Sequence, residues 1–222
     1  MGELDIKGIG MTSQRTRDRL IALLREMGIK NEEVLRVMSL VPRHLFMDEA
    51  LASRSYENTS LPIGHAQTIS QPYIVAKMTE LLLSDFVPGK VLEVGTGSGY
   101  QAAILGGLVR ELHTVERITP LYRNARELLY QLGYRNVRTH LADGSWGWED
   151  SAPYDAIMVT AAPETVPEAL KQQLAIGGRL VIPVGGDDGQ QELQLIHRLS
   201  EDTFKVERKE AVVFVPLLDK IN

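Results

Sequence analysis

The spacing of apolar residues predicts a helical N-terminal part followed by a longer part with a different rhythm. Apolar positions at helical spacing predict one helix over residues 12–27, which ends at Gly28, and a second helix over residues 32–40. A third helix is predicted over residues 71–84. Residues 43–70 show no clear period and are predicted to be irregular. An irregular stretch of that length is uncommon in a compact domain and is typically functional.

From residue 90 onward, short apolar runs alternate with amphipathic segments, which is typical of strands that alternate with helices. The predicted strands are KVLEVG, ELHTVE, VRTHLA, YDAIMVTAA, RLVIPV, QELQLIHRL, FKVERKE and AVVFVPL, and the predicted helices are SGYQAAILGGLV, PLYRNARELLYQLG and VPEALKQQL. This order predicts an α/β fold with a doubly wound, Rossmann-like sheet, mostly parallel with antiparallel C-terminal strands. Residues 80–222 would form the core, with residues 1–79 as a helical region and long loop packed on it.

The composition is that of an ordinary globular protein, and it excludes some kinds of site. The 222 residues are 44% apolar and 24% charged, the net charge is −5, and there is no cysteine. Disulfides and thiolate metal sites are excluded, and the five histidines lack metal-binding spacing, so we predict no metal. The acidic charge disfavours nucleic acid as a partner. No signal peptide or membrane-spanning run is recognisable, so a cytoplasmic location without a membrane partner is predicted.

The segment VLEVGTGSGYQ carries the most informative signal in the chain. A predicted strand runs into three glycines at residues 95–99, so the backbone can turn sharply and approach a ligand. The spacing G-x-G-x-G differs from the G-x-G-x-x-G of dinucleotide sites, and the strand ends in Glu93, which would repel a pyrophosphate. An acid suits a ligand with an ammonium group and no phosphate, such as S-adenosylmethionine (SAM). A tight turn without a ligand is the alternative.

Acids also follow the next two predicted strands. Glu116 ends the second strand, where a carboxylate can accept both ribose hydroxyls of a nucleoside. Asp143 and Gly144 follow the third strand, where a carboxylate could accept from an adenine amino group. Taken singly, Glu116 could be a surface charge and Asp143 part of a turn. Together, the three acids fall at the carboxyl edge of the sheet, where open sheets bind ligands.

The segment QTISQPYIVAKM, residues 67–78, contains no histidine, cysteine or acid, yet Ser70 stands where a helix should begin. From this stretch alone, a helix cap is the better interpretation, because serine before Gln71 and Pro72 is a good N-cap. The alternative is that the start of the helix holds a ligand. The two roles are compatible.

Several motifs taken together make the chain resemble the protein-L-isoaspartate O-methyltransferase family. They are LPIGHAQTISQPYIVAKMTELL, VLEVGTGSGYQAAIL, VERI, DAIMVTAAPETVPEALKQQLAIGGRLVIPVG and FVPL, and the similarity runs from residue 12 to residue 218. The glycine loop alone would indicate only a SAM-dependent methyltransferase. The combination with QTISQP and the C-terminal VPL is specific to this repair family.

The resemblance implies methyl transfer from SAM to the free α-carboxylate of L-isoaspartyl residues in damaged proteins and peptides. The transfer starts repair to aspartyl through a succinimide, and S-adenosyl-L-homocysteine is the product. The family's catalytic serine falls on Ser70. The implied cofactor contacts are Thr68, Ile69, Ser70, Glu93, Gly95, Thr96, Gly97, Gly99, Glu116, Arg117, Asp143 and Gly144. The implied substrate contacts are Pro62, Ile63, Gly64, Ser70 and Val215.

Two positions depart from the family pattern. Val75 stands where animal members have a histidine that lines the cofactor, and Leu218 stands where they have a threonine. Cofactor contacts are therefore not carried over to these two side chains. The family also exchanges the order of its last two strands relative to other methyltransferases, which the sequence cannot test.

The implied reaction needs no general base, because an α-carboxyl group with a pKa of about 3.3–3.7 is already ionised near neutral pH. We expect the Ser70 hydroxyl to donate to one carboxylate oxygen and to aim the other at the methyl group. The start of the predicted helix 71–84 would add free N–H groups and a favourable dipole for the anion.

Three other functions share part of this pattern. A nucleic-acid amino methyltransferase would place an aromatic residue after the fourth strand to hold a flipped base, where this chain has TAAPE. A nicotinamide dehydrogenase would need a pyrophosphate loop and a proton donor. A non-catalytic SAM-binding module would keep the glycine loop without needing QTISQP. Transfer of labelled methyl groups to isoaspartyl but not aspartyl peptides separates these functions.

Overall fold

A seven-stranded sheet forms the centre of the computed structural model, which describes residues 5–185, 190–219 and 221. The strands, in chain order, are β1 (Leu61–Gly64), β2 (Gln67–Ile69), β3 (Lys90–Val94), β4 (Glu111–Glu116), β5 (Val137–Leu141), β6 (Tyr154–Val159), β7 (Leu174–Val184), β8 (Gln191–Arg198) and β9 (Phe204–Val212). The helices are α1 (Gln14–Glu26), α2 (Glu32–Leu40), α3 (Pro72–Leu82), α4 (Tyr100–Gly106), α5 (Thr119–Gln131) and α6 (Glu168–Gln173).

The sheet order is β5-β4-β3-β6-β7-β8-β9, in which β3 to β7 are parallel and β8 pairs antiparallel with both β7 and β9. The chain moves from β3 outward to β5 and then returns to β6 on the other side of β3. The gap between β3 and β6 is therefore a topological switch point, where open sheets bind ligands. The predicted doubly wound α/β fold is confirmed, and the last two strands take chain order.

The N-terminal helices share the hydrophobic core of the sheet. Leu24 of α1 is fully buried, and it belongs to the same apolar cluster as Val91 of β3 and Leu112 of β4. Burial of this shared apolar surface is the main force that attaches the helices to the sheet. The division of the chain into residues 1–79 and 80–222 stays a prediction.

Residues 43–70, predicted to be irregular, contain regular structure. Two 3₁₀ helices, Arg43–Phe46 and Glu49–Arg54, precede a hairpin formed by β1 and β2. His65 and Ala66 turn the hairpin with φ angles of +53° and +55°, a conformation that usually requires glycine or asparagine. The prediction was wrong here because such short strands show little alternation and the turn residues are unusual ones.

The start of β7 also differs from the prediction. The strand begins at Leu174, directly after α6, whereas the sequence predicted it to begin at Arg179, after the glycine pair. The pairing with β6 contains a register shift, in which Tyr154 faces Leu174 and Ala156 faces Arg179. This irregularity takes up the extra residues of β7, and no period in the sequence indicates it.

The C-terminal tail returns to the carboxyl edge of the sheet. β9 continues through Val212, so AVVFVPL is not a separate strand as predicted. After β9, the Ala162 N–H donates to the Val215 carbonyl, and the Leu217 N–H donates to the Ala162 carbonyl, both at 2.8 Å. These hydrogen bonds hold the tail beside the loop that follows β6, at the switch point.

Candidate active site

A cavity lies at the switch point, where the end of β2, the loop after β3, the end of β4 and the C-terminal tail meet. We call it the switch-point cavity. Most of the predicted cofactor contacts line it, namely Thr68, Ile69, Ser70, Gly95, Thr96, Gly97, Glu116, Arg117 and Gly144. The structure therefore brings together residues that are far apart in sequence. Glu93, Gly99 and Asp143, the other predicted cofactor contacts, are not among the residues that line it.

The glycine loop between β3 and α4 depends on glycine for its backbone conformation. Gly95 and Gly97 have φ angles of +99° and +54°, which side chains other than glycine rarely adopt. A Cβ on Gly95 would also lie 2.4 Å from Thr160 Oγ1, so only glycine fits there. A Cβ on Gly97 would meet only Ile63, at 3.5 Å. The bare backbone of Gly97 can therefore be approached closely by a ligand in the cavity.

Glu116, at the end of β4, holds the glycine loop in place by a hydrogen bond to its backbone. Its Oε2 accepts from the Gly97 N–H at 2.8 Å, and its Oε1 accepts from the Ile118 N–H at 2.9 Å. Each carboxylate oxygen keeps a further lone pair, and the side chain borders the cavity. The geometry thus leaves Glu116 able to accept from a pair of ligand hydroxyls, as predicted from its place after β4.

Glu93 does not reach the cavity, contrary to the prediction. Its side chain has no solvent-accessible surface and lies beneath the loop, where the Thr114 hydroxyl donates to Oε2 and Oε1 has no partner among the described residues. Burial raises the pKa of the Glu93 carboxyl to about 8, which the hydrogen bond from Thr114 opposes and the charge of Glu116 reinforces. A direct contact between Glu93 and a ligand is not open in this arrangement.

The raised pKa of Glu93 predicts a pH-dependent stability. Between its usual value of 4.5 and about 8, the folded chain keeps the Glu93 proton while the unfolded chain loses it, so stability falls as pH rises and then levels off. The contribution approaches about 1.4 kcal/mol per pH unit. We expect Glu93→Gln to flatten the stability curve over this range. Urea unfolding of both proteins without ligand at pH 5, 6.5 and 8 measures it, and parallel curves would contradict the assignment.

Gly99 and Asp143 lie behind the cavity wall. A Cβ on Gly99 would come within 3.3 Å of Ala125, so this glycine allows α4 to pack closely against α5. Asp143 Oδ1 accepts from the Ser145 N–H at 2.9 Å and caps the 3₁₀ helix Gly144–Trp146. The local role of Asp143 is therefore a turn, and Gly144, its neighbour, lines the cavity.

Ser70 is not the cap of α3. The N-cap is Gln71, which makes no side-chain capping bond, and the helix starts at Pro72. The Tyr73 N–H is instead bound by Asn58 Oδ1 at 2.9 Å. The Ser70 hydroxyl has no hydrogen-bond partner within the described part of the chain. The cap interpretation is wrong, and the hydroxyl is available to a ligand.

The start of α3 offers fewer N–H groups than predicted. Pro72 carries no N–H, and the N–H of Tyr73 is occupied by Asn58. The prediction of free N–H groups is wrong for these two residues. Attraction of the helix start for an anion then rests on the N–H of Ile74 in the first turn and on the dipole, which is worth typically 0.3–1 kcal/mol at an exposed site. The hydroxyl of Ser70 becomes the stronger candidate donor.

A second cavity meets the first at Ser70. The two share Thr68, Ser70, Thr160 and Val215. Other residues of the second cavity, which we call the tail groove, are Ser60, Gln71, Ile74, Ala211, Val212, Val213 and Phe214. A hydroxyl on the shared wall can contact ligands in both cavities. This arrangement suits a transfer between two bound molecules.

The predicted substrate contacts lie at two different cavities. Ser70 and Val215 line the tail groove, but Pro62, Ile63 and Gly64 do not. They line a third cavity, between the 3₁₀ helices and α5, which borders the glycine loop. Their predicted role at the substrate is therefore not supported by their position beside Ser70 or Val215.

Several residues of the site were not predicted. Thr160 follows β6 at the carboxyl edge and lines both the switch-point cavity and the tail groove. Its position after the fourth strand of the core was the available signal, since strand ends at this edge carry ligand contacts. Val75 and Leu218, the two departures from the family pattern, also lie on the cavity wall, where their side chains are apolar.

The described residues, 5–185, 190–219 and 221, contain neither a metal-binding cluster nor a membrane-spanning helix. No group of three or more His, Cys, Asp or Glu side chains in this part of the chain could hold a metal ion. No helix there is long and apolar enough to cross a membrane.

Sequence comparison places this chain among known proteins. A family model described as protein-L-isoaspartate(D-aspartate) O-methyltransferase matches residues 15–222. A protein-L-isoaspartate O-methyltransferase of Cellvibrio japonicus is 59% identical over 221 residues, which covers 98% of each chain. A protein of the same name from Halorhodospira halophila is 57% identical over 219 residues, which covers 99% of each.

Solved structures agree with the sequence relatives. A protein-L-isoaspartate O-methyltransferase aligns with a TM-score of 0.82 and 27% identity, over 90% of this chain and 65% of that one. A Plasmodium falciparum protein assigned the same activity, in complex with S-adenosyl-L-homocysteine, aligns with a TM-score of 0.79 and 25% identity, over 91% of this chain and 98% of that one. The chain belongs to the protein-L-isoaspartate(D-aspartate) O-methyltransferase family.

Proposed function

We propose that this chain transfers a methyl group from SAM to the free α-carboxylate of L-isoaspartyl residues in damaged proteins and peptides. The methyl ester carries a better leaving group than the free carboxylate, because the adjacent backbone nitrogen can attack the ester carbonyl and expel methanol. The succinimide that forms is then opened by water, in part to normal aspartyl. Family membership supports the reaction. The observation that carries it in the structure is the unpartnered hydroxyl of Ser70 on the wall shared by two cavities.

The residues of the switch-point cavity fit SAM. The bare loop backbone at Gly97 gives room for a ligand beside β3, and the fixed carboxylate of Glu116 has lone pairs left for ribose hydroxyls. Thr68, Ile69 and Gly144 would complete the binding surface. When bound, SAM supplies a methyl group on a positively charged sulfur and leaves as S-adenosyl-L-homocysteine.

Ser70 is assigned the positioning of the substrate. Its hydroxyl donates a hydrogen bond to one oxygen of the isoaspartyl carboxylate, which leaves the other oxygen free to attack. A neutral hydroxyl holds the anion without neutralising it, whereas an arginine would bind it more firmly and reduce its nucleophilicity. The carboxylate is already ionised near neutral pH, so the site does not require a general base. No histidine lines the described wall of the switch-point cavity, which agrees with this assignment.

The partners are therefore isoaspartyl proteins and peptides, which we place in the tail groove. The absence of nucleic acid and membrane partners stays a prediction based on the acidic net charge of −5 and the sequence pattern. A cytoplasmic location likewise stays a prediction. The tail groove borders the C-terminal segment that follows β9.

Tritiated SAM with a matched pair of peptides tests the proposal. The two peptides differ only in an aspartyl or isoaspartyl linkage at one position. We expect label on the isoaspartyl peptide alone, and its release as methanol in mild base, because a methyl ester hydrolyses readily. Label on both peptides, or on added RNA, would contradict the proposed substrate. Binding of SAM without any transfer would identify a non-catalytic module.

A further inference from the structure

Asn58 accepts two hydrogen bonds from residues at the start of α3, just after Ser70. Its Oδ1 accepts from the Tyr73 N–H at 2.9 Å, and its carbonyl accepts from Gln71 Nε2 at 3.0 Å. Its Nδ2 lies 3.2 Å from Met27 Sδ, at the end of α1. Asn58 therefore joins three separate parts of the chain, and its side chain is half-buried.

The hydrogen bond to Tyr73 replaces one that Ser70 could make. Because Pro72 has no N–H, the Tyr73 N–H is the first donor in the helix. A serine three residues before such a donor is a common capping acceptor, and Ser70 has this spacing. The Tyr73 N–H donates to Asn58 instead, and the Ser70 hydroxyl has no partner in the described residues.

We propose that Asn58 is a positioning residue for Ser70. It caps α3 from a distant loop, and so keeps the Ser70 hydroxyl on the wall shared by the switch-point cavity and the tail groove. Asn58 also holds other parts of that wall in place. It binds Gln71 and lies two residues before Ser60, and both of these residues line the tail groove. This inference rests on the proposed methyl transfer, but its test can fail while the transfer is confirmed.

Asn58→Ala should lower kcat for an isoaspartyl peptide by about 10-fold, because displacement of a positioning group by a fraction of an ångström is costly to transfer. The matched control is Asn31→Ala, which removes the side-chain cap of α2, where Asn31 accepts from the Glu33 and Val34 N–H groups at 3.1 Å. Each variant should lower Tm by about 2–4 °C. Only the Asn58 variant should lose turnover.

Two further variants separate positioning from a structural role. Asn58→Asp keeps an acceptor for the Tyr73 N–H and adds negative charge near a carboxylate substrate, so KM should rise while kcat stays within about 3-fold. In a Ser70→Ala background, Asn58→Ala should cause no further loss of kcat, because its effect passes through Ser70. A structural effect would lower kcat equally in both backgrounds.

A ligand-free measurement gives a result that does not depend on activity. The backbone amide signal of Tyr73 in an NMR spectrum should shift in Asn58→Ala and stay in place in Asn31→Ala. The proposal is overturned if folded Asn58→Ala turns over like Asn31→Ala, or if Asn58→Asp, which keeps the acceptor, loses kcat 10-fold. If wild type transfers no methyl to the isoaspartyl peptide, the proposed function fails instead.

Discussion

Ser70→Ala is expected to lower kcat for an isoaspartyl peptide by about 100-fold, because loss of the positioning group misplaces the attacking oxygen. The substitution removes only the hydroxyl, which has no hydrogen-bond partner among the described residues. The variant should therefore keep the stability of wild type. Affinity for S-adenosyl-L-homocysteine should change by less than about 3-fold, since the contacts of the glycine loop and Glu116 remain. Single-turnover methyl transfer and calorimetric binding measure the two quantities.

Ser98→Ala is the matched control for this experiment. Ser98 also presents a hydroxyl to the switch-point cavity, but it does not line the tail groove. Its Oγ accepts only weakly from the Tyr100 N–H, at 3.4 Å. The control should therefore retain turnover within about 3-fold. If Ser70→Ala and Ser98→Ala had the same kcat, Ser70 would have no role in positioning the substrate.

Glu116→Gln is expected to weaken binding of S-adenosyl-L-homocysteine by about 100-fold, which corresponds to about 3 kcal/mol. The carboxylate accepts from two backbone N–H groups at once, at 2.8 and 2.9 Å. An amide can accept on one side only, and its NH₂ group would face a second donor on the other side. The glycine loop would lose its anchor at Gly97, and the ribose hydroxyls would lose an acceptor. Isothermal titration calorimetry measures the change.

Glu111→Gln provides the comparison at the opposite end of the same strand. Glu111 accepts from His113 and Arg138 and lies away from the switch-point cavity. Its replacement removes the same charge from β4 but should change ligand affinity by less than about 3-fold. Equal weakening by both variants would mean that net charge, and not the two hydrogen bonds to the loop, determines binding.

The sequence was sufficient for strands β3 to β6 and for the glycine loop. Strand and helix periods, together with glycines at residues 95–99, placed a ligand site at the end of β3. The position of Glu116 at a strand end also predicted a place on the cavity wall. These features depend on local pattern and on the rules of parallel sheets, so they can be read from one chain.

The role of Glu93 could not be read in the same way. Side chains of a strand alternate between faces, and both faces of a parallel sheet are covered. Val91, on the same side as Glu93, joins the cluster with the N-terminal helices, whereas Leu92 and Val94 join the other cluster. The sequence gives the position of the acid along the strand but not which covered face it enters.

The cap of α3 is a tertiary feature. Ser70 has the local spacing of a cap, but Asn58, fifteen residues before Tyr73, makes the bond instead. The hairpin of β1 and β2 was missed for a related reason, since its short strands and unusual turn leave no periodic signal. Features of this kind arise when distant parts of the chain meet, and they determine which hydroxyls remain free.

A crystal structure with S-adenosyl-L-homocysteine and an isoaspartyl peptide bound together tests the central claim most directly. We predict that one oxygen of the free α-carboxylate lies about 2.7–2.8 Å from Ser70 Oγ and that the other oxygen faces the sulfur. We also predict that the ribose hydroxyls contact Glu116. A carboxylate held by a charged side chain, or a peptide bound outside the tail groove, would contradict the account.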